Sequence, residues 1–307
     1  MSDNGIFEEV IEYPDVTARN RFANLVGLDE TKARLIKEAR ILLNPTLLEE
    51  WSRKHHGDRI SLLKSFERRL PLFIFTGDVG TGKTALAESF GDQIARDEKI
   101  AVTLHRLSLI TRGSGAVGEM TQLISSAFTE ITAFARKGTS RLGKPSSAII
   151  LLIDEADALA QSRELSQMHH EDRAGVNALI RGVDGIAATQ LPVLVVMCTN
   201  RFNSLDPAVS RRAAAIFSFD RPTEMQRHAV LKDYLKGTGI TDAELQTLAS
   251  LTGATASRTY GFTYSDLTQR FLPSLLLEAF PNKPITFAQT TSAAASFKPT
   301  PPFQESI

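Results

Sequence analysis

The 307-residue chain has a single cysteine, Cys198, and no net charge, since 35 Lys and Arg balance 35 Asp and Glu. A lone cysteine excludes an intrachain disulfide framework. A reducing, cytoplasmic setting is the simplest expectation. The charge balance argues against a dedicated nucleic-acid binder, because phosphate neutralisation by a basic excess carries most of such affinity. Long apolar runs are missing too. "AIILLI" (148–153) and "LPVLVVMC" (191–198) fall far short of the ~20 apolar residues a bilayer-spanning helix needs, so no membrane association is expected. Residues 1–15 hold Asp3, Glu8, Glu9, Glu12 and Asp15 without Lys or Arg, which excludes the basic start of a secretory signal.

What is present is a pattern of short buried strands alternating with amphipathic helices. "LFIF" (72–75), "AVTLHRLSL" (101–109), 148–153, 191–198 and roughly 214–219 read as strands. Between them, Leu86, Phe90 and Ile94 share a helical face, as do Met120, Leu123, Ile124, Phe128 and Ile131, and then Val176, Leu179, Ile180 and Val183. Continuous apolar strands separated by helices predict a parallel sheet covered on both faces. A further helix is expected over 24–43, with Asp29 near its start and Leu35, Ala39 and Leu42 on one face. After Arg221-Pro222 the pattern is helical only, with capping boxes at Thr223/Gln226 and Thr241/Glu244. The expected fold is α/β. A large domain at 23–221 carries a five-stranded parallel sheet, and a small all-α lid occupies 222–297. An irregular arm at 1–22 and a disordered tail at 298–307 complete the chain.

"GDVGTGKT" (77–84) fits G-x-x-x-x-G-K-[ST] between a strand and a helix. Its glycines would let backbone N–H groups curl around phosphates, Lys83 would reach the β/γ oxygens, and the Thr84 hydroxyl would ligate Mg²⁺. Gly77, Asp78, Val79, Gly80, Thr81, Gly82, Lys83, Thr84 and Ala85 are the candidate nucleotide contacts. The context makes an ordinary Gly-rich turn a poor alternative.

"AIILLIDEAD" (148–157) runs a buried strand into two adjacent acids. Asp154 would hold Mg²⁺ from across the site, and Glu155 would orient or deprotonate the attacking water. The letters nearly spell the DEAD box of RNA helicases. Those enzymes use two RecA-like domains and a Ser-Ala-Thr motif. Here only about 85 residues follow the module and the next strand ends in "CTNR", so Ala156 and Asp157 are read as chance matches.

"VMCTNR" followed by "LDPAVSRR" resembles the AAA+ ATPases. The resemblance spans roughly 24–290. It implies a polar sensor at Asn200 beside the γ-phosphate and an arginine finger at Arg211 or Arg212 that enters a neighbour's site. It therefore also implies a ring, a homo-hexamer in this family. "LVGLDETK" resembles the segment lining the adenine pocket, with Val26 and Gly27 as candidates, and "GFTYSDL" (261–267) resembles the lid signature of the AAA clade. A sensor 2 arginine has no clear counterpart, although Arg270 is nearby. Protein remodellers of the clade carry a pore loop after their second strand. Its match is Ala116-Val117-Gly118, without the usual aromatic. A second pore loop would fall near "SQMHHED" (166–172). His169-His170 and His55-His56 lack partners at metal-ligand spacing and are read as solvated.

Three stretches resemble the pachytene-checkpoint remodellers: "GVNALIRGVDGI" (175–186), "LDPAVSRRAAAIFSF" (205–219), with Arg212 in the finger position, and "RFLPSLLLEAF" (270–280). The resemblance implies ATP and Mg²⁺ as ligands and a HORMA-domain protein as substrate, opened from its closed form. The short N-terminal segment is similar to bacterial members that act on a HORMA–nucleotidyltransferase (CD-NTase) complex in CBASS antiphage signalling. The other class to weigh is a nucleic-acid-associated ATPase, a helicase loader or transposition regulator. The basic run 53–59 is its only support.

Overall fold

The computed structural model describes residues 5–109, 118–137, 145–159, 171–256 and 258–303. In chain order the elements are β1 (Glu9–Tyr13), α1 (Val16–Asn24), α2 (Asp29–Leu43), α3 (Thr46–His56), α4 (Leu63–Glu67), β2 (Leu72–Gly77), α5 (Lys83–Ala87), α6 (Phe90–Glu98), β3 (Ala101–Ser108), α7 (Glu119–Lys137) and β4 (Ser147–Asp154). They continue with α8 (Glu171–Thr189), β5 (Val193–Thr199), α9 (Pro207–Ser210), β6 (Ala215–Phe219), α10 (Glu224–Tyr234), α11 (Asp242–Leu251), α12 (Leu272–Ala279) and α13 (Phe287–Ser296). Two compact units emerge. The first comprises Met1–Ala23, Glu30–Thr76 and Thr84–Ser218, and the second Asn24–Asp29, Gly77–Lys83 and Phe219–Ile307.

The first unit is built on a sheet ordered β1-β3-β4-β5-β2-β6. β3, β4, β5 and β2 pair in parallel. Side chains alternate across a strand. In β4, Ile149, Leu151 and Ile153 therefore join Leu72 and Ile74 in one core. Ile150 and Leu152 point to the opposite face and are fully buried as well. Burial on both faces is what the unbroken apolar runs require.

The expectation of five parallel strands and an irregular arm at 1–22 needs correcting. Residues 9–13 add a sixth strand, antiparallel to β3, with Glu9 opposite Arg106 and Tyr13 opposite Val102. Residues 16–24 form α1. Acidic residues hid the alternation. Tyr13 is buried, and its hydroxyl donates to the Glu88 carbonyl at 2.6 Å. The ring lies where a Cβ on Gly91 would come within 2.5 Å of it, so α6 must carry a glycine there. The helix expected to run through Leu86, Phe90 and Ile94 is divided into α5 and α6, because the Ser89 hydroxyl turns back onto the Ala85 carbonyl at 2.7 Å. α2 buries Leu35, Ala39 and Leu43 rather than Leu42.

The second unit is helical. Both capping boxes form, at Thr223/Gln226 and Thr241/Glu244. Its core gathers Val230, Leu231, Leu245, Leu248, Phe262, Phe271 and Leu275. Asp266–Phe271 winds as a π-helix directly before α12. Pro273 explains the wide turn: it has no N–H to donate, and its ring would clash with the carbonyl four residues back. The expectation of a disordered tail fails over 298–303. Thr300 is fastened to Asp266, and the Phe303 N–H donates to Asp78.

A candidate nucleotide-hydrolysing site

In the second unit, Gly77–Lys83 forms a tight loop. Gly80 and Gly82 adopt φ of 72° and 99°, a region that L side chains enter only with strain. A Cβ on Gly80 would also approach the Thr263 hydroxyl to 2.8 Å. The Lys83 ammonium donates to the carbonyls of Gly77 (2.9 Å) and Asp78 (2.7 Å), and the Thr81 hydroxyl to that of Asp78 (2.7 Å). Val79 is exposed at the loop's tip. In the same unit, Gly27 accepts a 2.6 Å bond from Gln226 Nε2, and Val26 packs against the helical core.

In the first unit, Ala85 follows Thr84 in α5, and the Thr84 hydroxyl donates to Asp154 Oδ1 at 3.2 Å. Asp154 ends β4 with its side chain 9% exposed. The next residue, Glu155, is exposed and adopts φ of 52°, so the chain turns sharply and presents the second carboxylate to solvent. A non-glycine residue in this region costs roughly 1–2 kcal/mol, and such strain persists where the surroundings impose it. Here the Glu155 N–H donates to Asp154 Oδ1 at 3.0 Å.

Charge around Asp154 is balanced by residues the sequence did not single out. Arg106 on β3 donates to Asp154 Oδ2 (3.0 Å) and to Glu88 Oε1 (2.7 Å). Arg21 on α1 takes Glu88 Oε2 at 2.5 Å. Burial raises the Glu88 pKa, and Arg106 and Arg21 pull it back. Arg21, Arg106, Glu88 and Asp154, with Glu8 3.6 Å from the Arg106 guanidinium, thus form a charge cluster that ties the N-terminal segment to Asp154. No short-range spacing announces it, because its members come from α1, α5's end, β3 and β4.

Asn200 stands at the end of β5. Its N–H and its Nδ2 donate to Asp157 at 2.9 and 3.1 Å. The Thr199 hydroxyl and the Arg201 N–H also donate to Asp157. Asp157 therefore fastens the strand end that carries Asn200. Asp157→Ala is expected to lower turnover about tenfold or more through a displaced Asn200, with nucleotide affinity retained. Steady-state kinetics beside equilibrium binding checks this, and unchanged turnover would refute the anchoring role.

Arg212 forks onto Asp184 at 3.0 and 3.2 Å, whereas Arg211 is exposed with its Nε on the Pro207 carbonyl at 3.1 Å. Arg270 pairs with Asp266 at 2.8 Å. Of the expected pore loop, Ala116 and Val117 lie outside the described residues. Gly118, with φ of 87°, ends at the start of α7. His169 and His170 lie outside them as well. His55 and His56 sit beside Trp51 on α3. Among the described residues, no group of three or more His, Cys, Asp or Glu could hold a metal ion.

The donor set does suit magnesium. Mg²⁺ takes hard oxygens, keeps several waters and needs only one or two protein ligands beside phosphates. The Thr84 hydroxyl and Asp154 Oδ1, in contact at 3.2 Å, are such a pair.

A glycine loop leading into a helix, a hydroxyl–carboxylate pair and a strand-end acid doublet define a nucleotide-binding ATPase module of the AAA kind. The model of the ATPase family associated with various cellular activities (AAA) matches residues 73–221. CD-NTase-associated protein 6 of Escherichia coli strain MS 115-1 is 50% identical over 97% of this chain and 96% of its own length. The Trip13 fold is shared at whole-chain level: a chain in the E. coli MS115-1 HORMA:CdnC:Trip13 complex matches with a TM-score of 0.90 and 50% identity, covering 97% of each chain. Rhizobiales Trip13 matches with a TM-score of 0.76 and 46% identity, covering 96% of this chain and all of that one. The chain belongs to the CD-NTase-associated protein 6 family of AAA ATPases. None of the helices among the described residues is long and apolar enough to cross a membrane.

Proposed function

We propose that this protein is an ATP-driven ring remodeller that opens a HORMA-domain protein and so takes apart the complex that protein forms with a CD-NTase, restraining CBASS signalling. The observation that carries this reading is the near-full-length likeness to a Trip13 chain solved in complex with HORMA and CdnC. The nucleic-acid alternative has no comparable support. The basic run 53–59 instead belongs to α3 and the turn after it, where Glu49 pairs with Arg53 and Arg59.

In this mechanism the loop Gly77–Thr84 and Lys83 bind the phosphates of ATP, with Val26 and Gly27 near the base. Thr84 and Asp154 would hold magnesium, which supplies charge neutralisation at the β/γ oxygens. Glu155 takes the proton of the attacking water, and Asn200 orients that water. Each turnover drives the segment Ala116-Val117-Gly118 against the substrate in the pore of a hexamer acting in the cytoplasm. Arg211 or Arg212 completes the neighbour's site; the exposed Arg211 is free of a carboxylate fork, whereas Arg212 must leave Asp184 to reach across. Mixing Arg211→Ala or Arg212→Ala subunits with Lys83→Ala subunits is expected to restore hydrolysis to part of the ring. Absence of recovery at every ratio would reject action in trans.

The direct test supplies a purified HORMA-domain protein in its closed, peptide-bound form. ATPase activity should rise and the peptide should be released only with ATP. Stimulation by DNA, with no response to the HORMA protein, would overturn the remodeller reading.

A further inference from the structure

Pro299-Thr300-Pro301-Pro302-Phe303 contains just two backbone N–H groups, because proline has none. Both land on carboxylates of the second unit. The Thr300 N–H donates to Asp266 Oδ2 at 3.0 Å and the Phe303 N–H to Asp78 Oδ1 at 3.1 Å. Three prolines hold the segment extended at little entropic cost. The Thr300 hydroxyl adds a 2.8 Å bond to Asp266, whose side chain is fully buried. Burial alone would raise the Asp266 pKa, and the bonds from Thr263 and Thr300 outweigh it and lower it.

Arg221 joins the same parts. Its Nε donates to Asp78 Oδ2 (2.7 Å), its Nη1 to the Gly261 carbonyl (2.6 Å) and its Nη2 to the Thr300 carbonyl (2.8 Å). The guanidinium lies over the Tyr260 ring, 5.0 Å from its centroid. Asp78 is itself a loop residue, and its carbonyl is the one that receives the Lys83 ammonium and the Thr81 hydroxyl. One residue thus has its carboxylate in the grip of Arg221 and Phe303 and its carbonyl on the phosphate-binding lysine.

We propose that Pro299–Phe303 is a strap that fixes the phosphate loop through Asp78, with Arg221 as the positioning residue common to strap, loop and lid, so that nucleotide affinity depends on it. The proposal rests on reading Gly77–Thr84 as the phosphate loop. A loop whose backbone is already held in place loses less freedom when phosphate arrives, and that difference enters the dissociation constant rather than the chemical step.

The test uses the full chain. Equilibrium binding of a fluorescent ADP analogue and steady-state ATPase are measured for Arg221→Gln, Arg221→Lys, Phe303→Pro and Phe303→Ala. Arg221→Gln should weaken nucleotide binding about tenfold and raise KM to match, with kcat at saturation retained. Arg221→Lys, which keeps the charge, should recover part of this. Phe303→Pro deletes the amide donor to Asp78 together with the Phe303 side chain. It should weaken binding about threefold, and Phe303→Ala, which keeps the amide, should weaken it less. Wild-type affinity in both Arg221→Gln and Phe303→Pro, or a loss confined to kcat, would overturn the strap. Lys83→Ala separates the two readings. If it binds nucleotide normally, the phosphate-loop assignment has failed. If it loses binding while the strap variants do not, only the strap has failed.

Discussion

Glu155→Gln is expected to reduce ATP turnover by about 10²–10⁴-fold, the range a positioned general base supplies, with nucleotide affinity within a factor of a few of the parent. The substitution keeps shape and removes only the ability to accept a proton. Glu155 suits the role because its backbone is turned to φ of 52°, which leaves its carboxylate exposed beside the buried Asp154. Under the proposed remodeller function, the same variant should hold ATP and keep a HORMA-domain partner engaged. Single-turnover hydrolysis and a pull-down with ATP read both consequences. Hydrolysis within fivefold of the parent would remove Glu155 from the chemical step.

Arg106→Met is expected to be the most destabilising change near the site. It strands two carboxylates, Asp154 and Glu88, each with a side chain 9% exposed. Removing one partner of a buried ion cluster costs about 3–5 kcal/mol. Urea unfolding, with EDTA and without nucleotide, measures it. The loss should depend on pH in a definite sense. Burial already raises the Glu88 pKa, and Arg106 is the larger of the two cationic influences that hold it down. Without Arg106 the folded-state pKa rises further. A raised carboxyl contributes stability that is full below its unfolded value and is lost as pH climbs through its folded value. The deficit of Arg106→Met should therefore shrink as pH falls from neutrality toward the ordinary glutamate value. A deficit that stays constant or widens on acidification would refute the stranded-carboxylate account.

Much of the candidate ATPase site can be proposed from the chain because its parts are local. Gly77–Thr84 is one run of residues, and the Asp154-Glu155 doublet ends one apolar strand. Their chemistry depends on backbone shape and neighbours a few residues away, which letters and spacing encode. Asn200 was legible by resemblance, as the polar end of the next strand. The supports around these residues were not. Arg21, Glu88 and Arg106 are ordinary surface letters until sheet pairing and α1 bring them to Asp154. Asp157 looked idle because its four partners lie at residues 199–201, more than 40 positions away.

The acidic N-terminal segment misled for a related reason. Charge on Glu9 and Glu12 suits the exposed edge of a sheet as well as it suits a loose arm. Tyr13 decides between them only through its burial against α6. The tail misled likewise, since proline-rich composition is shared by disordered linkers and rigid straps. The alternation of strands and helices, the glycine loop and the acid pair can be read from the chain alone, because periodicity and contiguous motifs are properties of the sequence. The sixth strand, the charge cluster behind Asp154, the Asp157 anchor and the docking of 299–303 on Asp78 and Asp266 emerge only in the folded molecule. Each of these is a pairing of charges or hydrogen-bond groups across long separations. It exists only after hydrophobic burial has set the elements side by side, and no local pattern writes it down.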